Sequence, residues 1–173
     1  MWDSISYNVS GGKSVKAIAL AASDQNYIYA STYSTIKVTT DGGASWESIK
    51  SGLPNVNITD IAVSSSNPDH VWVTFSEYSA AHKVYESTDR GGTWTNITGN
   101  NLPNLPVNCI VHQGSSNDDL YIGTDVGVYF KDNSMSDWIP FMNGLPNVII
   151  KELEIHYSEG TISAATFGRG VWK

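Results

Sequence analysis

One phrase occurs twice in this chain and governs what it can fold into. Thr39-Thr40-Asp41-Gly42-Gly43-Ala44-Ser45-Trp46 returns as Ser87-Thr88-Asp89-Arg90-Gly91-Gly92-Thr93-Trp94. A Leu-Pro-Asn stretch follows each copy, at 53–55 and 102–104, and recurs at 145–147. A third copy is degenerate: Asn133 takes the Asp position, Met135 the central Gly position and Asp137 the Ser/Thr position, while Trp138 is kept. Self-similarity at about 45 residues is the mark of repeat architectures and outranks local propensity.

Aligning on tryptophan exposes the strands of each unit. First strands begin at Val15, Ile58, Val107 and Ile150, each with an apolar residue and each rich in β-branched types. Second strands are expected over 27–31, 70–75, 120–123 and 161–165, and third strands over 35–39, 82–87, 127–131 and 170–173. Fourth strands begin at the tryptophans, over 46–49, 94–97 and 138–141. No segment holds a 3.6-residue apolar period over ten residues or more, so essentially no helix is predicted. Four short antiparallel strands per repeat describe a β-propeller blade, which buries its faces only against neighbouring blades.

The expected fold is therefore an all-β propeller of about four blades in a single domain, 1–173. Three blades are continuous, at 15–49, 58–97 and 107–141. The fourth, 150–173, supplies three strands, and Met1-Trp2-Asp3-Ser4-Ile5 aligns with Trp46-Glu47-Ser48-Ile49. Residues 1–9 are thus expected to complete it as the outer strand, which would cover an open sheet edge. Three arrangements satisfy this complementarity. They are a closed four-blade monomer, a fragment of a larger propeller, and a homodimer formed by strand exchange or eight-blade closure.

Composition narrows the function. The 173 residues are 40% hydrophobic, 16% charged and aromatic-rich, an ordered composition. A formal charge of −7 argues against nucleic acid as partner. No apolar run is long enough for a membrane helix, and Met1 is followed by polar residues rather than an apolar signal region. The one cysteine, Cys109, lies in an apolar strand pattern and reads as an inert buried thiol. Four histidines in separate segments suggest no metal site, and no cofactor is expected.

The repeated phrase reads as structure. Asp41 and Asp89 sit in glycine-dense turns, where a short carboxylate accepts bonds from its own backbone and Gly43 and Gly91 allow positive φ. Thr39, Ser45, Ser87 and Thr93 supply hydroxyls to the same loops, and the tryptophans anchor each hairpin. Calcium loops use a denser alternation of oxygen ligands than this.

These phrases resemble the Asp-box, the bacterial neuraminidase (BNR) repeat of sialidases, xyloglucanase-like glycoside hydrolases and sortilin-type receptor propellers. The whole chain, including 120–129 and Ala165-Thr166-Phe167-Gly168-Arg169-Gly170-Val171-Trp172, resembles repeat regions that close large secreted proteins of Bacteroidetes-type bacteria. The resemblance implies a propeller that is secreted or held at a bacterial cell surface, with a glycan or a protein as ligand. Glycosidases of this kind place their acids outside the Asp-box turns, so Asp41 and Asp89 inherit no catalytic role. Sialidases also need an arginine cluster, and this chain has only Arg90 and Arg169.

Function is expected where the repeats differ, in the turns between second and third strands. These hold Tyr33, Glu77, Tyr78, Asp125, Phe167 and Arg169 as ligand-binding candidates, the aromatics as flat platforms for a sugar. Arg169 is expected to pair with Asp125. Glu77 and Asp125 are the one carboxylate pair nominated for glycosidase chemistry. Asp60, Glu152 and Glu154, with His156 beside them, are expected to line a narrow central channel. The leading expectation is a non-catalytic scaffold or carbohydrate- or protein-binding module. The alternatives are an Asp-box glycoside hydrolase, whole or in part, and a ring-forming assembly domain.

Overall fold

A computed structural model of the chain describes residues 4–5, 9–114 and 117–173. Its strands form four antiparallel sheets in chain order. The first contains β1 (Ala17–Leu20), β2 (Ile28–Ser31), β3 (Ile36–Thr39) and β4 (Glu47–Ser48). The second contains β5 (Asn57–Val63), β6 (Val71–Ser76), β7 (Val84–Ser87) and β8 (Thr95–Asn96). The third contains β9 (Val107–Gln113), β10 (Asp119–Thr124), β11 (Gly127–Lys131) and β12 (Ile139–Pro140). The fourth contains β13 (Ile150–His156), β14 (Thr161–Thr166) and β15 (Gly170–Trp172), three strands among the described residues. There is no helix among these elements, and the architecture is that of a β-propeller.

The sheets pack through their first strands, β1 on β5, β5 on β9 and β9 on β13. Each joint holds its own apolar cluster. Tyr29, Ile36 and Ile49 meet Ile58, Ile61 and Val71 in the first. In the second, Trp72, Val84 and Ile97 meet Ile110, Ile122 and Trp138. Cys109, Val128, Leu145, Ile150 and Leu153 fill the third. The leucines of the Leu-Pro-Asn linkers, Leu53, Leu102 and Leu145, each enter the joint that follows. Burying both faces of a sheet between neighbours is what turns short, weak ribbons into one body.

The repeated turns bond as the sequence suggested. Asp41 Oδ1 accepts from Thr39 Oγ1 at 2.6 Å and from Ser45 N at 2.9 Å, and Oδ2 accepts from Ser45 Oγ at 2.6 Å. Asp89 repeats this with Ser87 Oγ at 2.7 Å, Thr93 N at 2.8 Å and Thr93 Oγ1 at 2.8 Å. Gly43 N and Gly91 N donate back to Thr39 Oγ1 and Ser87 Oγ. The Ser45 bonds above all, then Thr39, hold the Asp41 carboxyl below the usual range. Thr93 N and the Ser87 hydroxyl do the same for Asp89. Both carboxylates are fully engaged by their own turns.

In the third copy the hub has moved. Asp132 Oδ1 accepts from Ser134 N and Oγ, and Asn133 turns outward to donate to Asp118 Oδ2 at 3.0 Å. Asp137 Oδ1 accepts from Trp138 N at 2.9 Å, and the carboxylate reaches Asn100 N and Asn101 N in the preceding linker. The tryptophan role persists across this change. Trp94 Nε1 donates to Ile49 O and Trp138 Nε1 to Ile97 O, both at 2.9 Å, so each indole is fastened to the sheet before its own.

Fourth strands prove shorter than expected. Each pairs over two residues, and the tryptophan lies just before the ladder rather than in it. The expected completion of the fourth sheet by residues 1–9 falls mostly on residues 1–3 and 6–8, which lie outside the described residues. Ile5, which is described, lies against Gly43: a Cβ placed there would stand 2.6 Å from the Ile5 carbonyl oxygen.

Candidate functional site

A β-bulge in the first strand recurs in three sheets and shapes the candidate face. Register shifts between Ile58 and Asp60, between Gly123 and Thr124 where Val107 gives way to Cys109, and between Ile150 and Glu152. The extra residues are Thr59, Asn108 and Lys151, and a bulge re-aims its side chain. Each turns to the β2–β3 type of connection in its own sheet or to the strand leading into it. Thr59 Oγ1 lies 2.9 Å from Thr74 Oγ1. Asn108 Nδ2 donates to Asp125 Oδ1 at 2.9 Å and to Ile150 O at 3.1 Å. Lys151 Nζ stands 5.8 Å from the centre of the Phe167 ring, and in the first sheet Lys16 stands 5.8 Å from that of Tyr33. One register position thus presents Tyr33, Ser76, Asp125 and Phe167 in successive sheets.

These turns are anchored rather than loose. Ile58 N donates to Tyr33 O at 2.8 Å and Phe167 N to Ile149 O at 2.9 Å. The longest turn, 77–83, is held by Lys83, whose side chain is completely buried. Its Nζ donates to Glu77 O and Leu105 O, both at 2.8 Å, and burial lowers its pKa. Held this way, Tyr33, Tyr78 and Phe167 project outward, 53%, 66% and 67% exposed. Large rings exposed on anchored turns contribute nothing to the core and are free to meet a partner.

The charged candidates do not converge. Glu77 Oε1 accepts from Ser79 N at 3.0 Å inside its own turn. The expected Arg169–Asp125 ion pair does not form, because Asn108 from the bulge has taken the Asp125 carboxylate. Arg169 is exposed, and its carbonyl accepts from Trp172 Nε1 at 3.0 Å. No hydrogen bond or ion pair links any two of Glu77, Asp125 and Arg169 among the described residues.

Behind the bulges, Ala17, Asp60, Cys109 and Glu152 occupy one register position along the first strands. Asp60 Oδ2 accepts from Ile110 N of the next sheet at 2.9 Å, and Oδ1 from Ile61 N at 2.9 Å. Burial raises its pKa to about 6 despite those bonds, with Glu152 adding to the rise. Glu152 is raised too, by desolvation and then by Glu154. Burial, reinforced by both acids, pushes the Cys109 thiol far up, so it stays protonated. His156 stands apart, exposed beside Ser163 Oγ.

The raised Asp60 pKa has a signed consequence. Its stabilising contribution is complete below the ordinary value of 3.8 and is lost as pH rises through about 6. A shift of this size is worth about 3 kcal/mol. Asp60→Asn removes the ionisation and one of two acceptors. Relative to the parent, D60N gains about 3 kcal/mol between pH 4 and pH 8. Urea unfolding of both proteins across that range measures it, and a pH-independent difference would contradict it.

Sequence reasoning missed a second cluster, at the joint of the second and third sheets. Trp72, fully buried, stacks on His112 with centroids 4.8 Å apart and lies 4.0 Å from His70. Glu86 Oε1 lies 2.8 Å from His70 Nε2 and accepts from Trp72 Nε1 at 3.1 Å. Asp118 Oδ1 lies 3.0 Å from His112 Nε2. His70 holds the Glu86 carboxyl low, and burial lowers His112. Its residues come from two repeats, so no local spacing announces it. Among the described residues, no three or more His, Cys, Asp or Glu are arranged to hold a metal ion.

No family model matches the chain, and no curated protein matches it. Solved structures do. A GH74 enzyme of Niastella koreensis superposes with a TM-score of 0.67 at 19% identity, over 91% of this chain and 22% of that one. YCF48 bound to a D1 peptide gives 0.67 at 18%, over 93% of this chain and 51% of the other. An auxiliary nutrient binding protein of Bacteroides thetaiotaomicron gives 0.67 at 14%, over 88% and 36%. At these identities the likeness is one of fold. The chain spans between about a fifth and about half of these proteins.

Proposed function

We propose that residues 1–173 form a non-catalytic Asp-box propeller module that binds a carbohydrate or a protein in an exported bacterial protein. The observation that carries this reading is the display of Tyr33, Tyr78 and Phe167 on anchored turns, with Lys16 and Lys151 beside two of the rings. Flat rings suit the apolar faces of sugars and the side chains of an extended peptide, and the lysines add donors for hydroxyl or carbonyl oxygens. The similar folds of a peptide-bound protein, a nutrient binding protein and a glycoside hydrolase support a propeller used for binding. The hydrolase alternative has less behind it, since Glu77 and Asp125 both spend a carboxylate oxygen on fixing their turns.

Calorimetric titration with plant β-glucan oligosaccharides and a panel of short peptides tests this. Tyr33→Ala, Tyr78→Ala and Phe167→Ala are each expected to weaken the bound member about 5- to 10-fold, and the triple variant to abolish binding. These turns are exposed, so stability stays within about 0.5 kcal/mol of the parent. Unchanged affinity in the triple variant would place the ligand elsewhere.

A further inference from the structure

His112 puts a titratable ring where the repeats otherwise put an aliphatic side chain. The same register position is held by Leu20, Val63 and Ile155 in the other three sheets. Its side chain is only 2% exposed and is stacked on Trp72 in the second joint. The two ring nitrogens are treated unequally. Asp118 Oδ1 lies 3.0 Å from Nε2, and a carboxylate can only accept, so Nε2 carries the proton. Nδ1 is then a bare acceptor, buried and without a hydrogen-bond partner among the described residues. His70, packed on the same indole, faces a carboxylate at each nitrogen: Glu86 Oε1 at 2.8 Å and Asp118 Oδ2 at 3.8 Å. The joint thus offers acceptors for protons on both nitrogens of His70, but on only one of His112.

A second proton on His112 would turn Nδ1 into a buried donor with nothing to receive it. Asp118 has little left to give the resulting cation. Its Oδ1 already takes His112 Nε2–H, and its Oδ2 accepts from Asn133 Nδ2 at 3.0 Å. The titratable groups around the ring are His70 and Glu86 from the second sheet, Asp118 and Asp119 from its own, and Tyr157 from the fourth. The Tyr157 hydroxyl is spent on the His112 carbonyl oxygen, to which it donates at 3.1 Å. Burial, assisted by His70, outweighs the two aspartates and lowers the His112 pKa.

We infer that the second joint is an acid-released clasp: neutral His112 closes it, and a proton taken up at His112 Nδ1 parts the second and third sheets there. The clasp lies at the β9–β10 end of the joint, opposite the β10–β11 turn that carries Asp125, and so apart from the candidate ligand face. The sign is set by the direction of the shift. A histidine depressed in the folded state contributes fully above its ordinary value of 6.5, and the contribution is lost as pH falls below it. This runs opposite to Asp60.

Urea unfolding of the parent and of His112→Gln, at pH 7.5 and pH 5.0, tests the clasp. Glutamine keeps an N–H for Asp118 and takes up no proton. Relative to H112Q, the parent's unfolding constant is expected to rise about 10-fold from pH 7.5 to pH 5.0, the order of effect of one buried donor left unpaired. Asp60, Glu152, His82 and His156 lie outside the cluster, titrate alike in both proteins and cancel in the ratio. H112L, which restores the residue type of Leu20, gives the same result should H112Q fail to fold. Hydrogen exchange on the parent needs no variant. At pH 5.0, after correction for chemical rates, β6 and β9 lose protection while β2 and β3 keep theirs. A ratio that does not change with pH overturns the inference, and so does a loss of protection spread evenly over both joints. Neither measurement involves a ligand, so the proposed function stands or falls separately.

Discussion

Trp138→Ala is expected to cost about 3 to 5 kcal/mol and to lower the melting temperature by about 10 °C or more. The indole is fully buried at the second joint among Leu102, Leu120, Ile122 and Tyr129. Truncation leaves a cavity there and strands the Ile97 carbonyl that its Nε1 serves. Trp46 gives the internal comparison. It is only partly buried, and its Nε1 has no partner among the described residues. Trp46→Ala should therefore cost clearly less than Trp138→Ala in parallel urea titrations. Equal costs would mean that the repeated tryptophans act within their own sheets rather than across joints.

Gly91→Ala is the second large effect. Gly91 has φ +88°, and a Cβ there would lie 2.6 Å from Ile49 Cβ and 2.7 Å from Ile49 Cδ1. Strain from left-handed backbone costs about 1 to 2 kcal/mol, and overpacking a tight joint adds about 1 to 3. Gly144 separates the two contributions, with φ +82° and nothing within 4 Å of the place a methyl would take. Gly144→Ala should show the strain alone, and Gly91→Ala should exceed it by the overpacking cost. Equal midpoints in chemical denaturation would remove the close contact as a cause.

What the sequence made legible follows from the range of each interaction. The Asp41 and Asp89 turns close within a few residues, so Thr39, Ser45, Ser87 and Thr93 announce their partners directly. Strand order was equally visible, because alternation and turn residues act locally. The face presented by a turn was only half visible. Asp125 and Phe167 could be nominated, but the bulges that bring Asn108 to Asp125 and Lys151 to Phe167 come from backbone register, so Asp125 was given the wrong partner. The histidine cluster was invisible because His70 and His112 lie in different repeats and meet only when two sheets dock on Trp72. The third turn shows the reverse case: Asp137 looked like a failed hydroxyl position and serves the preceding linker instead.

The direction of the indole bonds carries a consequence for how the molecule is made. Trp94 and Trp138 each donate backward, to a carbonyl that the ribosome has already released. A newly emerging sheet therefore finds its anchor finished and waiting, and no sheet needs one not yet synthesised to secure its own tryptophan. Construction can proceed in the order of translation, each unit locking onto the last. Growth by this rule has a polarity, like masonry laid course upon course, each sheet keyed to the edge of the one before it.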